Sequence, residues 1–182
     1  MAAVWAEKFV SGELNHPGRD QKVGQLLTRL ALARRHHPEL GFPAMDDDDW
    51  RLIYGEACAG RNSWPEMEKA SLEAHVGRYL GPQLLAFLDK TLPLRRKLAS
   101  GRTGKFTYFE SQPPELSARL EDFIGMSGTL SLCGGRLPVT FDILSPAFRT
   151  VQRTQDLTSF WKNAYPQIKR ELQRKYPKHH WP

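Results

Sequence analysis

The sequence predicts an α+β fold in which a helical N-terminal part packs on a small antiparallel β-sheet with flanking C-terminal helices. Two observations predict it. Through much of residues 20–92, apolar residues recur at the spacing of a helix buried on one side. Beyond residue 100, short alternating runs lie beside glycines, as in strands joined by tight turns. We therefore divide the chain into a helical accessory region, 1–93, and an α+β region, 94–182.

The first helices have clear start signals. Asp20 is an N-cap for a helix whose apolar stripe ends near His37, before Pro38. The four aspartates at 46–49 suit the start of the next helix, because carboxylates are stabilised at the positive end of the helix dipole. Consecutive helical side chains point in different directions, so this acidic run is predicted to be a helix start and not a metal site.

Two further helices complete the N-terminal region. The segment SWPE at 63–66 has a capping-box pattern and predicts a helix that runs to about Leu80. The segment GPQLLAFLDKTLP then predicts a short helix closed by Pro93. A helical array of this kind indicates no particular chemistry.

The sequence of the C-terminal region predicts both strands and helices. Gly101 and Gly104 mark a turn before a half-buried strand at 105–108. The segment 113–126, PPELSARLEDFIGM, predicts a helix with its apolar residues on one side. Two β-like runs surround the glycine pair at 134–135, and two final helices are separated at Pro166.

Composition limits the compartment and the broad class. The 182 residues have ordinary globular usage, with 40% hydrophobic and 25% charged residues. The two cysteines, Cys58 and Cys133, form no disulfide framework, which favours a reducing, cytoplasmic setting. No apolar run approaches the roughly 20 residues of a membrane span, so we expect no membrane partner.

The positive charge is concentrated in the C-terminal half. Residues 1–93 contain 11 Lys/Arg and 13 Asp/Glu, a net charge of −2, whereas residues 94–182 contain 15 and 7, a net charge of +8. A one-sided positive field favours a polyanionic partner. A surface that only improves solubility is the alternative.

No catalytic constellation is present in the sequence. It contains no GxxxxGK[ST] phosphate loop, no GxSxG elbow and no HExxH pair. The adjacent histidine pairs, 36–37 and 179–180, have no accompanying cysteines and are interpreted as surface residues. We therefore predict no catalytic residue, no cofactor and no metal.

Cations and aromatic residues alternate through the last 47 residues, a combination that can hold phosphates and stack unpaired bases. The aromatic residues Trp161 and Trp181 are assigned first to packing and second to stacking. The predicted nucleic-acid contacts are Arg102, Lys105, Arg136, Arg149, Gln152, Arg153, Lys162, Arg174 and Lys178.

Several ordered segments carry a family resemblance. They are the SGR turn at 100–102, PPELSARLEDFIGM, GGRLPVTFDILSPAFRTVQRTQDLTSFW, and RKYPKHHWP at the end. In this order they resemble the C-terminal region of HrpB-type ATP-dependent helicases of the DEAH-box class. The resemblance is densest over 94–182 and extends more weakly upstream. Thr150 and Arg153 depart from the family pattern, which commonly has proline and often has valine at these positions.

The resemblance implies an accessory role. Such helicases have two RecA-like motor domains with ATP-binding and DEAH motifs, and this sequence contains neither motif. The chain is therefore expected to be inactive as an ATPase alone, whether it is part of a longer protein or a short protein acting beside one. The expected partners are RNA, or another single-stranded nucleic acid, and helicase motor domains in the same or another chain. A protein-interaction module that binds no nucleic acid is the alternative.

Overall fold

The computed structural model describes residues 2–181. The chain divides into two compact units, Met1–Thr91 and Leu92–Pro182. The first contains only helices and the second contains a five-stranded sheet and helices, so the predicted α+β class is confirmed. The roles assigned to 1–93 and 94–182, an accessory region and a helicase C-terminal region, stay predictions.

Within residues 2–91 the first unit contains five α-helices and a short 3₁₀ helix, Pro38–Leu40. The α-helices are α1 (Ala2–Val10), α2 (Gln21–His36), α3 (Asp47–Cys58), α4 (Trp64–Glu68) and α5 (Leu72–Thr91). Both predicted aspartate caps are confirmed: Asp20 accepts hydrogen bonds from the N–H groups of Lys22 and Val23. Asp46 forms a capping box with Asp49, so the acidic run begins a helix as expected.

The predicted helix from residue 63 to about Leu80 is wrong in its length. The structure ends α4 at Glu68 and starts α5 at Leu72. Ser63 occupies the N-cap, but its hydroxyl makes no capping hydrogen bond within the described chain. Gly81 has φ 80° and ψ 162°, which interrupts α5 where the sequence predicted a new helix to begin. An N-terminal cap pattern does not determine where a helix ends, because tertiary packing decides its length.

A buried histidine lies in the aromatic core of this unit. His16 is 2% exposed. Its ring lies 4.9 Å from the ring of Phe9 and 5.6 Å from that of Tyr54. Nδ1 accepts a hydrogen bond of 2.9 Å from the N–H of Gly18, so Nε2 carries the proton of the neutral ring. Nε2 meets no hydrogen-bonding partner among residues 2–181.

The second unit is organised by one sheet. Its strands lie in the order β1-β2-β3-β6-β7, with β1 (Arg95–Lys97), β2 (Thr103–Thr107), β3 (Glu115–Arg119), β6 (Thr140–Leu144) and β7 (Thr150–Thr154). A small hairpin of β4 (Ser131–Leu132) and β5 (Leu137–Pro138) lies in the connection from β3 to β6.

The sheet is mixed, so the prediction of an antiparallel sheet is wrong at one pair. β3 and β6 run parallel, while β1–β2, β2–β3 and β6–β7 are antiparallel. A parallel pair needs a crossover of a dozen or more residues. Residues 120–139, which include the β4–β5 hairpin, supply it.

The helix predicted over 113–126 is also wrong, because this segment contains β3 and a 3₁₀ turn, Leu120–Phe123. Leu116, Ala118 and Leu120 are buried and alternate with more exposed residues, which is the period of a strand. The same leucines also lie four residues apart, so the sequence pattern fits both structures. Pairing with β2 and β6 selects the strand.

The C-terminal helical segment is continuous. It consists of α6 (Leu157–Ser159), a π-helical turn (Phe160–Ala164) and α7 (Tyr165–Lys175). Pro166 lies in the first turn of α7, where its missing N–H is tolerated. The two final helices predicted to be separated at Pro166 are therefore one helical segment, which contains a widened, π-helical turn before the proline. No helix within residues 2–181 is long and apolar enough to cross a membrane.

Candidate nucleic-acid interface

The two faces of the sheet differ in polarity. Phe106, Leu116 and Phe141 are in register on the core face and are at most 2% exposed. On the opposite face one cross-strand row runs through all five strands. From β1 to β7 it is Arg95, Lys105, Ser117, Asp142 and Arg153. Lys105 and Arg153, both predicted as contacts, therefore share one face of the sheet.

The β1–β2 end of this row carries only cations. All three residues of β1, Arg95, Arg96 and Lys97, are exposed, as is Lys105. Arg95 and Lys97 point to the same face as Lys105, because alternate residues of a strand share a face. Within residues 2–181 none of the four makes an ion pair. We call Arg95, Lys97 and Lys105 the cationic face.

The other end of the row is electrostatically compensated. Arg153 donates from Nε to Glu115 at 2.8 Å and lies 3.7 Å from an oxygen of Asp142. The Asp142 carboxylate is buried and accepts hydrogen bonds from the hydroxyls of Ser117, at 3.1 Å, and Thr150, at 2.9 Å. Arg153 is thus already engaged by two carboxylates.

Arg102, in the turn between β1 and β2, is also paired. Its Nη1 lies 2.8 Å from Glu121 and 3.4 Å from Asp122. The hydrogen bond that Arg102 donates to Glu121 is the main cause that raises the pKa of this guanidinium above its usual value. Arg119, at the end of β3, forms ion pairs with the same two carboxylates at 3.2 and 3.8 Å. Arg102 therefore belongs to a four-residue ion-pair cluster.

Two predicted contacts lie on or beside the edge strand β7. Arg149 is exposed in the turn before β7 and makes no ion pair within residues 2–181. Gln152 is exposed on β7, and its side-chain amide bonds to the carbonyl of Arg153 at 3.3 Å. Gln152 pairs with Ile143 and therefore points away from the face that carries Arg153.

The remaining predicted contacts are exposed but lie on other elements. Arg136 lies between the β4 and β5 strands, Lys162 in the π-helical turn, Arg174 near the end of α7 and Lys178 beyond it. The nine residues therefore do not form one continuous site. Lys105 and Arg153 lie in the same cross-strand row, and Arg102 and Arg149 lie in turns at one end of the sheet.

The tryptophans assigned to packing do pack. Trp181 is 7% exposed, and its Nε1 donates to the carbonyl of Tyr176. Trp161 donates from Nε1 to the carbonyl of Met126 at 2.8 Å. It also lines a shallow groove of about 370 Å³ with Ile124, Met126 and Tyr165.

Neither cysteine lies in surroundings that favour nucleophilic catalysis. Cys58 and Cys133 are buried and unbridged, and burial raises the pKa of both thiols, which disfavours the nucleophilic thiolate. Within residues 2–181, no three His, Cys, Asp or Glu side chains are grouped as metal ligands.

Sequence reasoning missed three features of this region. Arg95, Arg96 and Lys97 were not singled out, although the run LRRK carries the signal of consecutive cations. Arg119 was hidden because its segment was interpreted as a helix. Phe148, 70% exposed beside Arg149, was noted only as one aromatic residue among many.

Comparison with known proteins agrees with this architecture. The profile of the HrpB_C family, described as ATP-dependent helicase C-terminal, matches residues 54–182. The ATP-dependent RNA helicase HrpB of Escherichia coli (strain K12) is 32% identical over 165 residues, which cover 87% of this chain and 20% of that protein. The chain thus spans about a fifth of the length of this relative.

Two solved structures have the same fold over most of the chain. The E. coli DExH-box NTPase HrpB matches with a TM-score of 0.78 at 30% identity, covering 90% of this chain and 21% of that one. The Escherichia coli DEAH/RHA helicase HrpB matches with a TM-score of 0.76 at 26% identity, covering 97% and 23%. The resemblance noted from the sequence is confirmed, and the chain belongs to the family of HrpB-type ATP-dependent helicase C-terminal regions.

Proposed function

We propose that this chain is an accessory C-terminal module of an HrpB-type ATP-dependent RNA helicase and that it binds single-stranded RNA through its cationic face. The observation that carries the proposal is the grouping of Arg95, Lys97 and Lys105 on one face of β1 and β2, without a carboxylate paired to them within residues 2–181. Phosphates release counterions when they meet such cations, so a nucleic-acid backbone is the favoured ligand.

The family supports the class of ligand and of partner. The E. coli relative is named an RNA helicase, and this chain corresponds to about a fifth of it. We therefore propose that the module acts together with helicase motor domains, in the same or another chain. It hydrolyses no ATP by itself, because its sequence has no GxxxxGK[ST] phosphate loop.

Removing the cationic face should abolish most RNA binding. We expect the triple variant R95A/K97A/K105A to bind labelled single-stranded RNA at least about tenfold more weakly at low salt. The slope of log affinity against log salt should become shallower by about 2, since three phosphates are no longer neutralised. Fluorescence anisotropy over a salt series measures both quantities.

The matched control removes three exposed cations elsewhere. K22A/K69A/K90A, at three exposed lysines of the helical first unit that are not predicted contacts, changes the net charge by the same amount. Equal losses in the two triple variants would show a general charge effect and contradict the cationic face. Absence of wild-type binding at low salt would contradict RNA binding and leave docking on motor domains, the alternative protein-interaction role, as the function of the module.

Arg149 and Arg153, the two predicted contacts at the β7 edge, should contribute differently to the salt dependence of RNA binding. We expect R149A to make the salt slope shallower by about 0.7, the value for one phosphate on a single strand. R153A should change the slope little, because the Arg153 guanidinium is held by Glu115 and Asp142. The same anisotropy series tests this, and equal slope changes would show that Arg153 leaves its carboxylates to bind RNA.

A further inference from the structure

The turn between β6 and β7 holds a phenylalanine in an unusual position. The N–H of Ser145 donates to the carbonyl of Arg149 at 2.8 Å, and the N–H of Phe148 donates to the carbonyl of Ser145 at 2.9 Å. The Ser145 hydroxyl, which is buried, accepts the N–H of Arg149 at 3.3 Å. These bonds close the turn and fix the backbone that presents Phe148.

Two features of Phe148 disfavour it on grounds of stability alone. Its φ of 58° lies in the left-handed region, where glycine or asparagine is preferred over a bulky residue. Its side chain is 70% exposed, so folding buries little of the ring. A strained backbone position that presents an exposed aromatic ring indicates that the ring has a use outside the fold.

One arginine lies against the ring, and another follows it in the chain. The Arg119 guanidinium lies 5.5 Å from the ring centroid and is held in place by Glu121 and Asp122. Arg149, the next residue, is exposed and makes no ion pair within residues 2–181. The turn therefore presents an aromatic ring beside an available guanidinium.

We infer that Phe148 is a stacking platform for one unpaired base, while Arg149 contacts an adjacent phosphate. This inference rests on the proposed RNA binding and adds a specific contact to it. Bases of single-stranded RNA stack on exposed aromatic side chains, and a neighbouring guanidinium neutralises the backbone. A protein hot spot instead requires a well-packed, desolvated pocket around the anchor, whereas the ring of Phe148 is 70% exposed.

The test separates stacking from general hydrophobic contact. F148L keeps an apolar side chain but removes the π-face, and F148W keeps the π-face. We expect F148L to bind single-stranded RNA about tenfold more weakly and F148W to bind like the wild type. Both should retain the wild-type salt slope, because stacking releases no counterions. RNA containing 2-aminopurine should report stacking through a change in its fluorescence with wild type and F148W, and a smaller change with F148L.

An abasic oligonucleotide supplies the control for the base itself. Wild type and F148L should bind it equally, since it has phosphates but no base to stack. Equal binding of base-containing RNA by F148L and wild type would overturn the platform while the RNA-binding function stands. Loss of all RNA binding in the wild type would overturn both. Loss of binding to motor domains by F148L, with RNA binding unchanged, would show a protein contact instead of a stacked base.

Discussion

The variant F141A is expected to lower the free energy of unfolding of the sheet unit by about 3–5 kcal/mol, the usual cost of removing a buried phenylalanine. Phe141 is 2% exposed on β6. Its ring lies 5.6 Å from that of Phe123 in an edge-to-face arrangement, and its backbone pairs with Leu116 of β3. The loss combines the transfer of the ring to water with the cavity left at the central parallel pair.

Hydrogen–deuterium exchange resolved by residue, together with urea unfolding, measures this effect, since the chain has two units and global unfolding need not be two-state. The matched control is T103A, an exposed position of the same sheet, which should change stability by less than about 0.5 kcal/mol. Protection of the β3 and β6 amides should fall most in F141A. A decrease in the free energy of unfolding of less than about 1 kcal/mol would contradict tight packing of Phe141 against Phe123.

Acidification is expected to destabilise the helical unit through His16. Desolvation by burial is the main cause that lowers the pKa of His16 to about 4, and the charges of His75 and Arg61 act in the same direction. Above pH 6.5 the His16 ring is neutral in both the folded and the unfolded state, and its contribution to the free energy of unfolding is fully present. As the pH falls from 6.5 to 4, the unfolded chain takes up a proton at His16 that the folded unit does not. The free energy of unfolding therefore decreases as the pH is lowered. The loss is about 2 kcal/mol by pH 5 and approaches about 3 kcal/mol near pH 4.

The variant H16N isolates this effect. An asparagine oxygen can accept the Gly18 N–H in place of Nδ1, but it does not titrate in this range. H16N should therefore show a flatter dependence of unfolding free energy on pH between 7.5 and 5. The matched control H180N, at an exposed histidine, should keep the wild-type dependence. Identical pH profiles for wild type and H16N would contradict the assignment. Burial also lowers the pKa of His75, which leaves a residual slope in H16N.

Local signals were sufficient for part of the fold. Asp20 and the aspartates at 46–49 predicted helix starts correctly, because a cap is a contact between residues two or three apart. The turn at Gly101 was also predicted correctly, but Gly104, assigned to the same turn, lies within β2, which spans Thr103–Thr107 and not 105–108. The β3 segment was not, since leucines four residues apart with a buried alanine between them fit a helix and a strand alike. Only its partners β2 and β6 exclude the helix.

The candidate site also has some features that the sequence predicted and others that depend on tertiary contacts. The exposed cations Lys105 and Arg149 were predicted from charge alone, and their role in binding stays a prediction. By contrast, the ion pairs of Arg102 and Arg153 depend on carboxylates that lie 11 to 38 positions away in the chain. These are Glu121 and Asp122 for Arg102, and Glu115 and Asp142 for Arg153.

By itself, the sequence determined the α+β class, the starts of α2 and α3, the concentration of positive charge after residue 93 and the family. These properties depend on composition, on short-range contacts or on ordered motifs. The tertiary structure alone decided the parallel pairing of β3 with β6, the face shared by Arg95, Lys97 and Lys105, and the exposure of Phe148 beside Arg149. Register decides the shared face, because a shift of one residue moves every side chain of a strand to the other face of the sheet. The other two features depend on contacts between segments far apart in the chain or on the fold of a turn.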